Sequence, residues 1–434
     1  MTLSFTKHTL ANGLDVLLHE DAACPIVAVN VWYHVGSKNE RPGHTGFAHL
    51  FEHLMFEGSQ HYDRGYFQPL QGAGATLNGS TNADRTNYWE VVPSNALELA
   101  LWMESDRMAY LLPALTDAKF TNQRDVVLNE RRQNYENRPY GLAPMALLGA
   151  LFPPEHPYHW TTIGEIADLN AVKLDEVHAF FRKYYHPANA SLALAGDIAA
   201  DEVLALVRAY FEDIAPGDGV ERVHASAGLT ADVRIFFEDR VELPRLYLAW
   251  LTPAMFAEGD ADLDLGTDLL ANGKMSRLYR RLVFDERIAT DVSASQNSRE
   301  IAGYTQITAT AAPGHTLGEL ETAILDEIAR LSAEGPTDDE IERGRVQAEA
   351  QFMFRLQTVG GFGGKSDQLN AYNVFLHDPA YFDRDLARYH AVTKESLREA
   401  VARYLDPSCR VTLSIVPRDR AAVAAPDSLP VVVA

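Results

Sequence analysis

Cysteine is nearly missing from this chain of 434 residues, with Cys24 and Cys409 the only two. No disulfide framework can hold the fold, and no cysteine metal site can form without a partner chain. Long apolar runs are missing as well. The best stretches, such as Met145 to Pro153, fall far short of the roughly 18 residues that span a bilayer, so no membrane segment is expected. The N-terminus, M-T-L-S-F-T-K-H, lacks the apolar region and the small-residue cleavage site of a secretory signal. That reading expects a cytoplasmic location, with a periplasmic one left open should a leader have been removed. Positive charge is scarce: 38 Lys and Arg face 60 Asp and Glu, a formal net charge of −22. Phosphate backbones would be repelled, which argues against nucleic acid. The surplus serves solubility first and favours cationic or neutral ligands second.

What is present points to a soluble globular protein of two to four domains, with 47% hydrophobic and 23% charged residues. One stretch organises the reading. Gly46 to Glu57, G-F-A-H-L-F-E-H-L-M-F-E, is apolar nearly all round a helix except for His49, Glu52 and His53. At roughly 100° per residue, Glu52 lies about 60° to one side of His49 and His53 about 40° to the other, so all three leave one face. Polar groups gathered on so greasy a helix cost about 1–3 kcal/mol each unless something binds them. A divalent metal meets that need. Two His at i and i+4 reach one ion, and the Glu beside it is placed to take a proton from water. The order H-x-x-E-H is the inverted zinc-peptidase signature.

Along the chain, Thr9 to Gly36 reads as a hairpin with the Asn12-Gly13 turn and a strand, P-I-V-A-V-N-V-W-Y-H-V-G, buried on one face. A helix is expected near Tyr66 to Ala73, and an edge strand from Gly74 to Tyr88. Helical periodicity covers Ser94 to Leu111 and Thr116 to Asn137, with Ser94 and Thr116 as caps. Leu174 to Tyr185 is amphipathic, followed by the strand S-L-A-L-A-G-D and a helix from Ala200 to Phe211. Ala215 to Leu229 is the best linker. Beyond it the chain repeats itself. Lys173 onward matches Thr393 onward, setting Tyr184 on Tyr404 and Pro187 on Pro407, and Leu17 to Trp32 resembles Ile235 to Trp250. Two copies of one sheet-plus-helices domain are expected, at 1–215 and 232–434 with a linker at 216–231. At the same offset H-L-F-E-H falls on Asp268, Leu269, Leu270, Ala271 and Asn272, so the second copy lacks the metal site.

With the inverted motif, the two copies and the length in hand, the chain resembles the insulinase/pitrilysin family of zinc peptidases. Its half-length branch, with the mitochondrial processing peptidase and bacterial relatives, is the most similar. The residues that carry the likeness are N-G-L-D-V, the H-x-x-E-H helix, G-A-T-L-N-G-S-T-N-A-D-R-T-N-Y, Y-Y-H-P-A-N-A-S-L-A-L-A-G-D and S-R-L-Y at Ser276 to Tyr279. The resemblance implies an α+β, LuxS/metallohydrolase-like duplicated fold forming half of a clam-shell chamber, and one zinc ion per chain. It also implies a third ligand some 77 residues past the second His, which here is Glu130. Spacing alone does not separate Glu130 from Glu90, Glu104 or Asp106. Glu130 does share a helical stripe with Gln123, Asn134 and Asn137. Seven residues before the third ligand the family usually has a supporting Glu, and this chain has Gln123.

In self-sufficient members an Arg and a Tyr of the C-terminal half hold the substrate. Aligned on S-R-L-Y, those places hold Val283 and Thr290. The expectation is therefore a zinc endopeptidase acting on peptides or unfolded segments, with Glu52 as general base. A related half-length subunit would supply Arg and Tyr in a heterodimer, with a homodimer as the rival. A non-catalytic scaffold subunit and a zinc hydrolase of another small substrate are the other classes in play. Asn78 and Gly79 are expected to meet the substrate backbone at the edge strand. The Gly360 to Lys365 segment, G-G-F-G-G-K, follows no phosphate-binding pattern and reads as either a mobile substrate loop or a turn.

Overall fold

The computed structural model describes residues 3–226 and 228–433. Met1, Thr2, Ala227 and Ala434 lie outside the described residues, and with them the first two positions of the N-terminal reading, one position of the expected linker and the last of the second expected domain. The chain divides into two units, each drawn from three stretches. The first takes 1–129, 162–223 and 351–384; the second takes 130–161, 224–350 and 385–434. The division falls inside the helix Asp117–Arg131, which is described with the first unit together with its Glu130.

In the first unit β1 (Thr6–Thr9), β2 (Asp15–Glu20), β3 (Ile26–Tyr33), β4 (Thr76–Thr81), β5 (Thr86–Pro93) and β6 (Ala190–Gly196) form one sheet of order β1-β2-β6-β3-β5-β4. The Asn12-Gly13 turn closes a hairpin between β1 and β2, with Thr9 opposite Asp15 and Gly13 at φ +88°. Only glycine takes that angle without strain. The expected pairing of the opening segment with the Pro25 strand is corrected: β6 lies between β2 and β3, parallel to the first and antiparallel to the second. A partner 176 residues downstream of β2, as Ala193 is of Leu17, leaves no local signature. The strand β3 is also buried on both faces rather than one, every residue after Ile26 being buried, because the helix Lys365–Leu376 covers its second face. The expected single strand from Gly74 to Tyr88 is a hairpin, β4 to β5, turned by Asn82, whose Oδ1 accepts from the amides of Asp84 and Arg85 at 2.7 and 2.9 Å. Its first strand, β4, is the sheet's terminal strand.

The second unit repeats the path. β7 (Val233–Asp239), β8 (Arg245–Thr252), β9 (Ala289–Asn297), β10 (Gly303–Ala311), β11 (Val411–Pro417) and β12 (Leu429–Pro430) are ordered β12-β7-β11-β8-β10-β9. The order β2-β6-β3-β5-β4 thus recurs as β7-β11-β8-β10-β9, again with one parallel pair, β7 with β11. The fold is α+β, one sheet-plus-helices arrangement built twice.

Each sheet is finished by a helix from the other half of the sequence. The helix Lys365–Leu376 lies on β2, β3 and β6, with Leu369 packed against Leu17 and Ala193. The helix Ala143–Leu151, with Met145, Ala146, Leu147, Leu148 and Leu151 buried, lies on β8 and β11. Of the expected caps, Thr116 accepts from the Lys119 amide at 3.3 Å, whereas Ser94 donates to Asp197 and the helix begins at Leu97. The helix expected to reach Asn137 stops at Arg131. A wider turn follows over Arg132–Glu136, closed by the Asn137 amide on the Arg132 carbonyl at 2.8 Å, so Asn134 and Asn137 leave the helical face of Glu130. No helix among the described residues is long and apolar enough to cross a membrane.

Candidate metal centre

The H-x-x-E-H segment forms the helix Phe47–Leu54. Phe47, Ala48, Leu50, Phe51 and Leu54 are buried, and His49, Glu52 and His53 stand half-buried on the remaining stripe. Phe51 stacks on Phe180, Phe181 and Tyr185. The helix starts at Gly46, φ +87°, where a side chain would meet the Ile163 carbonyl and Leu169 at 2.9 Å. Its open N-terminal amides are satisfied by Glu40, whose carboxylate accepts from Gly46 N at 3.0 Å and Ala48 N at 2.8 Å. A negative charge there also suits the positive end of the helix dipole. Sequence reasoning missed Glu40, since it reaches back from a loop outside any capping spacing.

One ring nitrogen of His49, one of His53 and a carboxylate oxygen of Glu130 all lie within 4.8 Å of one another. The imidazole rings stand nearly perpendicular, centroids 4.8 Å apart. Gln123, two turns before Glu130 on the same helix, puts its Oε1 3.3 Å from His53 Nδ1. Its Nε2 donates to Glu57, so its oxygen is the end facing the imidazole and His53 Nδ1 carries the proton. That leaves His53 Nε2 as the basic nitrogen, the tautomer a ligand needs. Two imidazoles and a carboxylate are a donor set that fits zinc.

The three acids that spacing alone left open are engaged elsewhere. Glu104, fully buried, accepts from Arg107 Nε at 2.9 Å and from Tyr66 at 3.0 Å, and the guanidinium lies over the rings of Tyr66 and Tyr88. Glu90 sits beside this pair; burial and the Glu104 charge push its carboxyl well above the usual range. Asp106 holds Ser59 and His61 in the loop after the metal helix. Burial likewise raises the Tyr88 and Tyr185 phenols, with the Glu52 charge contributing, so the floor beneath Glu52 is neutral. Arg85 is the cation nearby, lowered by burial within the fields of Asp367, Glu52 and Asp84.

Gly79 faces the metal helix: a Cβ there would meet the Phe56 ring at 3.1 Å. Asn78 points to the opposite, exposed face, its Oδ1 accepting from the Gly79 amide at 2.8 Å. In the second unit Val283 packs against the apolar core, and Thr290 Oγ1 donates to Asp291 at 3.1 Å. The Gly360 to Lys365 segment is a pinned turn at the start of the Lys365–Leu376 helix, with the amides of Lys365 and Ser366 bonded to the carbonyls of Thr358 and Val359 at 3.0 Å.

Among the described residues this is the one cluster of three His, Cys, Asp or Glu side chains arranged to hold a metal ion. Fold and site together define a class: a duplicated α+β protein with a His-His-Glu centre in the first copy and none in the second. The family model described as Insulinase (Peptidase family M16) matches residues 15–154, and that described as Peptidase M16 inactive domain matches residues 171–347. The chain belongs to the insulinase family, peptidase family M16. The Zinc protease PqqE of Helicobacter pylori is 28% identical over 365 residues, covering 82% of this chain and 81% of that one. An uncharacterized zinc protease of Mycobacterium leprae is 28% identical, covering 77% and 75%. Among solved structures, a protease from Helicobacter pylori superposes with TM-score 0.86 at 24% identity, over 96% of this chain and 100% of that one. A peptidase M16 inactive domain from Pseudomonas fluorescens superposes with TM-score 0.85 at 20% identity, over 99% and 100%.

Proposed function

We propose that the chain is a zinc-dependent endopeptidase acting on peptides and unfolded polypeptide segments. The observation that carries this reading is the convergence of His49, His53 and Glu130 within 4.8 Å, with Glu52 on the same helical stripe. The relatives named zinc proteases support it. His49, His53 and Glu130 would hold one zinc ion, Gln123 fixing the His53 tautomer. Zinc held by these residues would supply Lewis-acid chemistry, easing deprotonation of a water near pH 7 and polarising a carbonyl. Glu52 accepts the proton of the attacking water and returns it to the leaving amine nitrogen. The free edge of β4 pairs with an extended substrate backbone, which orients the peptide bond along Gly79 and the metal helix. Glu52→Gln is expected to keep stoichiometric zinc by elemental analysis and to lose at least about a thousandfold in kcat; a variant that turns over normally removes Glu52 from the role.

The same reading assigns the working form as a heterodimer with a related half-length chain that supplies an Arg and a Tyr. Val283 and Thr290 support it, neither carrying a cationic or phenolic donor. So does the periplasmic protease PqqL of Escherichia coli, of which this chain matches 49% with TM-score 0.79. Peptide cleavage by the purified chain is the test. Full activity without a second polypeptide overturns the heterodimer and favours the homodimer.

A further inference from the structure

The face of the first sheet turned away from the metal helix carries a second set of residues in line with the β4 edge. Strand register sorts them into three rows. Thr76 lies opposite Val91 and Val91 opposite Ala28; Asn78 opposite Trp89 and Trp89 opposite Asn30; Ser80 opposite Asn87 and Asn87 opposite Trp32. Residues directly opposite in antiparallel strands share a face, so each row is one line of side chains running inward from the edge. The G-G-F-G-G turn lies across these rows. Gly360 sits on the first, where any Cβ would come within 2.6 Å of Ala28 and Val91. Phe362 sits on the second, its ring edge-on to Trp89 at 5.5 Å. Asp367, buried, ties the turn down: one oxygen accepts from Trp32 Nε1 at 2.9 Å, Asn30 at 3.2 Å and Asn87 at 3.3 Å, and the other from the Gly363 amide at 2.7 Å.

The turn is thus held rigidly, with Gly361 and Gly363 at φ +80° and +76°, and what it presents is a phenylalanine 52% exposed. A fixed, exposed aromatic loses little freedom when a ligand covers it. Beneath it the Trp89 indole N–H is buried and makes no hydrogen bond among the described residues, a defect that folding alone does not call for. Resting on the reading that an extended peptide adds to β4, we propose that Phe362 and Trp89 form a side-chain subsite. It takes an aromatic or large aliphatic residue of the substrate in the row of Asn78, on the face away from the metal helix. The second row is the one that combines an open edge position with exposed ring surface, since Gly360 fills the first and Asp367 with Arg85 over Trp32 fills the third.

The test measures binding apart from turnover. Fluorescein-labelled decapeptides of Ser and Thr with one Phe walked along the chain are titrated by anisotropy against Glu52→Gln protein with and without Phe362→Ala or Phe362→Leu. The expected result is that one Phe position tightens binding about tenfold over the all-Ser/Thr peptide, that Phe362→Ala erases the gain and that Phe362→Leu keeps part of it. A gain that survives Phe362→Ala, or no Phe position that tightens binding, overturns the subsite. Failure of the wild-type chain to cleave any peptide instead bears on the proposed hydrolysis and leaves this binding comparison readable.

Discussion

The helices Phe47–Leu54 and Asp260–Ala271 occupy the same step of the two copies, each leading out of an αL glycine, Gly46 at φ +87° and Gly259 at φ +89°. They differ in what their polar stripe meets. At the sequence offset of the repeat the places of His49 and His53 fall on Asp268, in the last turn of the second helix, and Asn272, its C-cap, and Asn272 Nδ2 donates to Asp268 Oδ1 at 2.9 Å. That pair satisfies itself. An i, i+4 couple of donor and acceptor closes its own hydrogen bond, whereas two imidazoles flanking an acid converge with Glu130 on a common point. One scaffold thus carries a His-His-Glu cluster in its first copy and a self-paired Asp268 and Asn272 in its second.

The largest effect is expected from erasing the difference. His49→Asp with His53→Asn should abolish zinc binding, measured by elemental analysis, and all peptide hydrolysis, while circular dichroism reports a retained fold. Stoichiometric zinc in that double variant would break the comparison. A smaller effect sharpens it: Gln123→Ala removes the hold on His53 Nδ1 and should weaken zinc about 10-fold to 100-fold in competition with a chelator, with the fold unchanged. The smallest concerns the second helix. Burial raises the Asp268 carboxyl, partly offset by the Asn272 bond. A folded pKa above the unfolded value means the unfolded chain gives up its proton first, so this group costs stability as pH rises past the ordinary carboxylate range. Asp268→Asn should remove that cost, raising Tm by a few degrees or less at pH 8 with the gain shrinking toward pH 4. A variant destabilised equally at both pH values would show that Asp268 supports the helix by other means.

Much of this was legible because it is local. The metal helix declares itself through a four-residue spacing among apolar neighbours, the duplication through matched helix-strand blocks, and β4 as an edge through its glycine and asparagine content. What stayed hidden depends on residues far apart in the chain. Nothing near Leu17 announces that Ala193 will pair beside it, so the opening segment read as a simple hairpin. Glu40 caps a helix from six residues upstream, and Asp367 anchors its turn to Asn30, Trp32 and Asn87, more than 270 residues away. Glu130 was reachable by resemblance, while its spacing gave no advantage over Glu90, Glu104 or Asp106 until their separate buried partners were visible.

The reciprocal loan of helices carries one more consequence. Between Phe211 and Val233 no described residue lies in a helix or strand, so a protease would find its easiest purchase there. Yet a cut at that point frees neither unit: the downstream fragment still lays Lys365–Leu376 across β3, and the upstream one still lays Ala143–Leu151 across β8. Such a nicked molecule should travel as one species through a sizing column and fall into two pieces only in denaturant.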